Sequence, residues 1–261
     1  MTPSDNVSSI NSAAGYLFIN GLIKETLSHT AMKELTGSNE GPYMSLTSLD
    51  DTDAGYLRLW KGPNLSPIDR MVHVRLLAGP VQTQLLFLFG KDDSSQPHFH
   101  AQAVEFPTDG CVYNIDLMPR LDAIDHPEYF TEVFADLTKP YLKATSKPEN
   151  SCSKALMNPA IAAYLSPWGI VSHRTDTAEL TRLQPLLESY LTHYLYLSDS
   201  LSYSHASAEE LQMRSRKHLE RFFDDDLDPR AWRGVYNVIG EDAGVKIKTI
   251  LKLSLQQIQA T

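Results

Sequence analysis

The chain has 261 residues, 42% of them hydrophobic and 21% charged, enough apolar content to bury a sizeable core, which excludes a disordered or fibrous protein. Its 32 acidic residues against 23 basic ones give a net charge of −9, which excludes a general nucleic-acid binder because phosphate neutralisation needs a surplus of Lys and Arg. Cys111 and Cys152 have neither zinc-site spacing nor the density of a disulfide framework. The N-terminal run MTPSDNVSSINSAAGYLFING lacks the basic segment and long apolar run of a signal peptide or membrane span. The expectation is one domain over residues 1–261, cytoplasmic, with no membrane and no nucleic-acid partner.

Ala13 to Glu34 reads as a helix, its apolar stripe carried by Leu17, Ile19, Leu22, Ile23, Leu27 and Met32. The GSNEGP run at 37–42 ends it. Short β-prone runs then follow at 43–49, 55–61, 71–77 and 81–89. From Pro97 a further run alternates His98, His100 and Gln102 with Phe99, Ala101 and Ala103, which in a strand sends the polar side chains to one face. A turn at 107–110 leads into Cys111 to Leu117, so these two runs form a hairpin. Six strands with few helices between them predict an antiparallel meander, and no GxGxxG or GxxxxGK[ST] stretch supports a nucleotide site.

Beyond Arg120 the pattern is helical. Pro127 opens a helix to about Leu137. Lys143 to Ser153 reads as a polar connection, Ala155 to Leu165 as a helix, and Pro167 to Val171 as a further strand. Helices are predicted over 176–197, 208–223 and 242–259, with another starting near Pro229. Asp224, Asp225 and Asp226 read as solvated charge before that start.

The His98–His100 pair admits several readings: a polar pocket wall, a satisfied structural pair, or two metal ligands as in the first cupin motif, with Glu105 and Gly110 beyond. A cupin-like metal enzyme, however, needs a second β-rich half where this chain turns helical, and Glu105 has the opposite strand parity unless a bulge turns it inward. Arg120 with the surrounding acids suggests an ion-pair corner at the strand-to-helix connection. Arg214, Arg216, Lys217 and Arg221 form a basic run whose helical spacing puts Arg214, Lys217 and Arg221 on one side. That run reads as a solvated face, or as a clamp for acidic groups of a ligand or partner.

The PHF run at 97–99, D-x-x-PR-x-D at 116–122, HPEY at 126–129, Leu165-Ser166-Pro167 and the 214–220 stretch resemble the ferredoxin-dependent bilin reductases, with the motifs of red chlorophyll catabolite reductase. The resemblance spans about residues 80 to 225. It implies an α/β/α sandwich with a central antiparallel sheet, and a linear tetrapyrrole held between that sheet and the C-terminal helices. It also implies no tightly bound cofactor and no metal, with electrons arriving singly from reduced ferredoxin and protons from side chains. The sequence departs from the family where its acids stand: those positions fall on Gln102 and near Gln212, and an amide cannot donate a proton as an acid does. His98 and His100, on the same predicted face as Gln102, are then the candidate catalytic donors, because histidine titrates near neutrality. Gln212, Arg214, Leu165 and Lys217 are the candidate substrate-binding residues. The two glutamines also leave open a protein that binds a tetrapyrrole without reducing it.

Overall fold

The computed structural model describes residues 13–37, 40–108, 110–146, 152, 158–172 and 175–260. A mostly antiparallel sheet forms the middle layer of an α/β/α sandwich. Its strands are β1 (Lys33–Leu35), β2 (Met44–Thr47), β3 (Asp53–Lys61), β4 (Ile68–Ala78), β5 (Val81–Gly90), β6 (His98–Phe106), β7 (Gly110–Met118) and β8 (Ile170–Val171). From β3 to β7 each strand pairs with the next as a meander, because each connection is short enough to return the chain beside itself. The tightest is the two-residue loop between the paired Ala78 and Val81, where Gly79 takes a φ of +58°. On the outer edge of β3, β1 and β2 sit end to end, the first against Leu59 to Lys61 and the second against Asp53 to Leu57.

One face of the sheet is covered by α1 (Ala14–His29), α2 (Pro127–Phe134) with a 3₁₀ turn to Leu137, α3 (Thr138–Thr145) and α5 (Thr177–Ser200). Phe99, Ala101, Tyr113, Ile115 and Leu117 meet Phe18, Leu22, Tyr190 and Tyr194 there. A short helix, α4 (Pro159–Ala162), precedes β8. The other face is covered by α6 (Ala208–Phe222), α7 (Pro229–Ile239), α8 (Glu241–Lys252) and α9 (Leu255–Ala260). Here Val72, Val74, Phe87, Phe89 and Met118 pack on Leu219, Phe223, Ile247 and Leu251. The two apolar layers between them bury the alternate residues of every central strand, which is why those strands read as nearly continuous hydrophobic runs.

Four expectations are corrected. The first helix stops at His29 and the residues up to Glu34 turn into β1, because pairing with the exposed edge of β3 outweighs local helix preference. Lys143 to Thr145 belong to α3, which buries Ala144; residues 147–151 and 153–157, with part of the expected 155–165 helix, lie outside the described residues. The last helix is broken in two by the sheet. Asp69 accepts the Leu255 N–H at 2.9 Å, while Arg70 donates to the Leu251 carbonyl at 3.0 Å, so one helix end and the next helix start are both capped. Asp225 is solvated as expected but does not serve the start of α7: it accepts from Lys248 at 2.5 Å and from the Tyr236 hydroxyl at 2.8 Å, and the cap of α7 is Asp228. Both cysteines are buried free thiols. Among the described residues no helix is long and apolar enough to cross a membrane.

Candidate functional site

Strand parity alone puts His98, His100 and Gln102 on one face of β6, and the α6 layer lies over that face. The register carries the wall across the sheet, because Gln102 pairs with Leu85 and Asn114, and His100 with Phe87 and Asp116. His98 is 1% and His100 5% exposed. His98 Nδ1 accepts the Gly90 N–H at 3.0 Å, and its Nε2 lies 3.3 Å from Ser215 Oγ of α6. The His100 ring stacks on Phe87 at 4.3 Å between centroids and meets the edge of Phe222 at 6.0 Å, with Nδ1 buried and without a partner. Gln102 accepts from Asn114 Nδ2 at 3.0 Å, which fixes the amide with its own NH₂ free to donate.

Burial makes both histidines neutral. Desolvation drives His100 down to about 3. His98 is pushed well below its ordinary value, first by desolvation and then by its basic neighbours Arg120, His218 and Arg70. His218 on α6, whose Nε2–H donates to the Tyr164 carbonyl at 3.1 Å, is lowered to about 4, again chiefly by burial. The expectation of a histidine titrating near neutrality therefore does not describe this wall before a ligand is bound.

Of the other candidate residues, Leu165 is half-buried between Tyr164, whose ring packs on His218, and Ser166. Helical spacing turns Leu211, Ser215 and Leu219 of α6 inward, while Gln212 and Lys217 lie on its exposed side, away from the histidines. Arg214 is occupied at the edge: it donates to Asp122 at 2.9 Å and to the Arg120 carbonyl at 3.2 Å. Glu105 faces α1, close against Gly15, so it does not join His98 and His100. Among the described residues no three His, Cys, Asp or Glu side chains gather into a possible metal site.

The corner at 116–129 is not the expected ion pair of Arg120 with its neighbouring acids. Arg120, 2% exposed, donates to three backbone carbonyls, Lys91 and Asp92 at 3.0 Å and Leu211 at 3.3 Å, and so ties the β5–β6 loop to α6. Asp116 instead accepts from Ser166 N at 2.7 Å and Oγ at 2.5 Å. Gly169 makes this approach possible, because a Cβ there would stand 3.0 Å from the Asp116 carboxyl carbon. His126 joins Glu210 of α6 at 2.9 Å and the Tyr203 hydroxyl at 2.7 Å, and Tyr129 accepts the Arg120 N–H at 3.1 Å. Ser215, His218, Phe222 and Asn114 complete the wall, and sequence reading missed them; the period of α6 through Leu211 and Leu219 was the signal for the first.

A separate cavity of about 380 Å³ opens on the far face between α1, the β3–β4 loop and α5, lined by the exposed Glu25, His29 and Asp199. It shares no residue with the wall.

No family model and no curated protein matches this sequence. Among solved structures, the selenomethionine form of phytochromobilin synthase from tomato, in complex with biliverdin, is similar with a TM-score of 0.67 and 19% identity, over 88% of this chain and 79% of that one. At that identity the likeness is one of fold, and the α/β/α sandwich built above is the fold the two chains share.

Proposed function

We propose that this chain is a ferredoxin-dependent reductase of a linear tetrapyrrole, bound between the sheet and α6. The observation that carries the reading is the likeness in fold, over 88% of the chain, to a phytochromobilin synthase that holds biliverdin. The wall supports it. His98, His100 and Gln102 supply hydrogen-bonding groups among Phe87, Phe89 and Phe222, and aromatic side chains suit a flat conjugated ligand. Electrons arrive singly from ferredoxin, with no tightly bound cofactor. The motifs at 97–129 favour a chlorophyll catabolite or a related bilin as substrate, in a cytoplasmic setting. Leu165 and Arg214 are assigned to substrate binding, Arg214 from the rim of α6, whereas Gln212 and Lys217 face away from the wall and are given no such role.

A buried imidazole lowered to about 3 carries almost no proton at neutral pH. Proton transfer therefore follows electron transfer, because the charge of a singly reduced tetrapyrrole beside the ring favours its cationic form. The test is to mix the protein with biliverdin and add reduced ferredoxin anaerobically. A shifted bound spectrum followed by loss of the long-wavelength band is expected. Absence of any spectral change with linear tetrapyrroles would remove the reading.

A second reading is a tetrapyrrole-binding protein without turnover, favoured by the Gln102–Asn114 amide pair, which offers hydrogen bonds but no acid. It requires a stable complex whose spectrum is indifferent to reduced ferredoxin.

A further inference from the structure

The two histidines are adjacent on one strand face, yet the fold treats them differently. The Gly90 N–H can donate only to a bare ring nitrogen, so the proton of neutral His98 stands on Nε2, where it points at Ser215 Oγ. A second proton would break the Gly90 bond. It would also enter a cationic corner: Arg120 Nη1 lies 3.1 Å from where a Cβ on Gly90 would stand, and the Arg70 guanidinium sits 3.9 Å above Phe89, whose ring meets His98 at 5.4 Å. The remaining titratable neighbour, His218 on α6, is itself held neutral by burial and offers no compensating negative charge. Both nitrogens of His98 are thus committed to the protein, one to the sheet and one to α6.

His100 has no such commitments. Its Nδ1 is buried without a partner, its ring contacts are the aromatic Phe87 and Phe222, and its cross-strand neighbour Asp116 is engaged by Ser166. A buried polar atom left bare is costly in a finished fold and is resolved when a ligand completes it. Phe222, half-buried on the last turn of α6, is the α6 side chain whose ring meets that of His100, at 6.0 Å.

We propose that His100 is the catalytic histidine, meeting the ligand through Nδ1, and that His98 is a positioning residue that fastens α6 to the sheet in its neutral form. This rests on the tetrapyrrole reading of the site. In the step concerned, one electron from reduced ferredoxin converts the bound tetrapyrrole to its radical anion. His100, made imidazolium by a proton from solvent hydronium, gives its Nδ1 proton to that anion and returns to neutral imidazole, so the solvent supplies one proton and the hydronium is left as water. The product is the neutral radical, which is the tetrapyrrole plus one electron and one proton.

The test combines nitrogen-15 histidine NMR of the whole protein with anaerobic single-turnover kinetics on biliverdin and reduced ferredoxin. Without ligand, His98 is expected as a single Nε2–H tautomer that does not titrate near neutral pH, and biliverdin should move the His100 Nδ1 resonance while leaving the His98 tautomer in place. His100→Gln should slow decay of the radical by roughly 10²-fold, the scale of a lost general acid. Ser215→Ala, which removes the partner of His98 on α6, should change affinity and leave the pH profile of turnover as it was. A His98 that titrates near neutrality, or a His98→Gln variant that slows radical decay as much as His100→Gln, would overturn the assignment. If biliverdin moves no resonance and gives no spectral change, the tetrapyrrole reading fails, and with it the catalytic role given to His100. The ligand-free tautomer of His98 still decides the positioning role by itself.

Discussion

The β6 wall and the corner at 116–129 lie side by side, and they use polar residues in opposite ways. In the corner nearly every polar group is spent: Arg120 on three carbonyls, Asp116 on Ser166, His126 on Glu210 and Tyr203, Asp122 on Arg214. On the wall, His100 Nδ1 and Asn114 Oδ1 are buried and bare. Arg120, His126 and Arg214 of the 116–129 corner and its partners are thus mostly fasteners of α6, while the bare groups lie on the neighbouring strands β6 and β7. A motif marks the place where a fold needs particular side chains, and here that place is the fastened corner beside the wall.

The largest effect expected from setting the two regions apart is in the corner. Arg120→Ala should cost roughly 3–5 kcal/mol of stability, because it strips buried carbonyls of their donor and frees α6 from the β5–β6 loop. Urea denaturation followed by circular dichroism measures this, and a loss below about 1 kcal/mol would show the corner to be dispensable.

On the wall the expected effect is on rate instead. His100→Gln should lower turnover roughly 10²-fold with little change in the denaturation midpoint, whereas Gln102→Asp should keep or raise activity by supplying an acid on the same face. Equal rates for the parent and His100→Gln would sever the wall from proton delivery.

Acid separates the two regions by pH window. His98, His100 and His218, with His73 on the far face, are all neutral in the fold, His73 and His218 lowered to about 4 and His100 to about 3, from an unfolded value of 6.5. Below that value the unfolded chain binds more protons than the native one, so stability should fall as the pH drops from about 6.5 towards 4. The slope should be roughly 1 kcal/mol per buried histidine for each pH unit. His100→Gln should flatten it. The Asp122 carboxyl is held low, first by the Asp125 N–H and then by the Arg214 charge over a desolvation penalty, so its share is present above 3.8 and is lost only in stronger acid. A stability curve flat between about pH 6.5 and 4 would contradict the buried neutral wall.

The smallest effect belongs to the rim. Arg214 and Asp122 are both more than one-third exposed, so breaking their pair with Asp122→Asn should cost at most about 1 kcal/mol, and less at high salt. Thermal melts at two ionic strengths would measure it. A larger, salt-independent loss would make this pair part of the corner's buried lock.

The sequence by itself determined what depends on period and local chemistry: the antiparallel meander, the face shared by His98, His100 and Gln102, the opposite face for Glu105, and the Pro127 and Pro229 helix starts. These follow from the two-residue repeat of a strand, the 3.6-residue repeat of a helix and the missing N–H of proline, none of which needs a distant partner. The tertiary structure decided the rest. Residues 33–35 became an edge strand because β3 offered unpaired hydrogen bonds, and Asp69, far along the chain, split the last helix. Gln212 was expected at the site from the resemblance and Lys217 from the basic run, while the apolar period through Leu211 and Leu219 turned Ser215 inward instead, and only the packed structure brought His218 to the Tyr164 carbonyl. The protonation state of the wall was the least legible of all. Desolvation is set by the layer packed over a side chain, and His98 and His100 read alike until α6 lies on them.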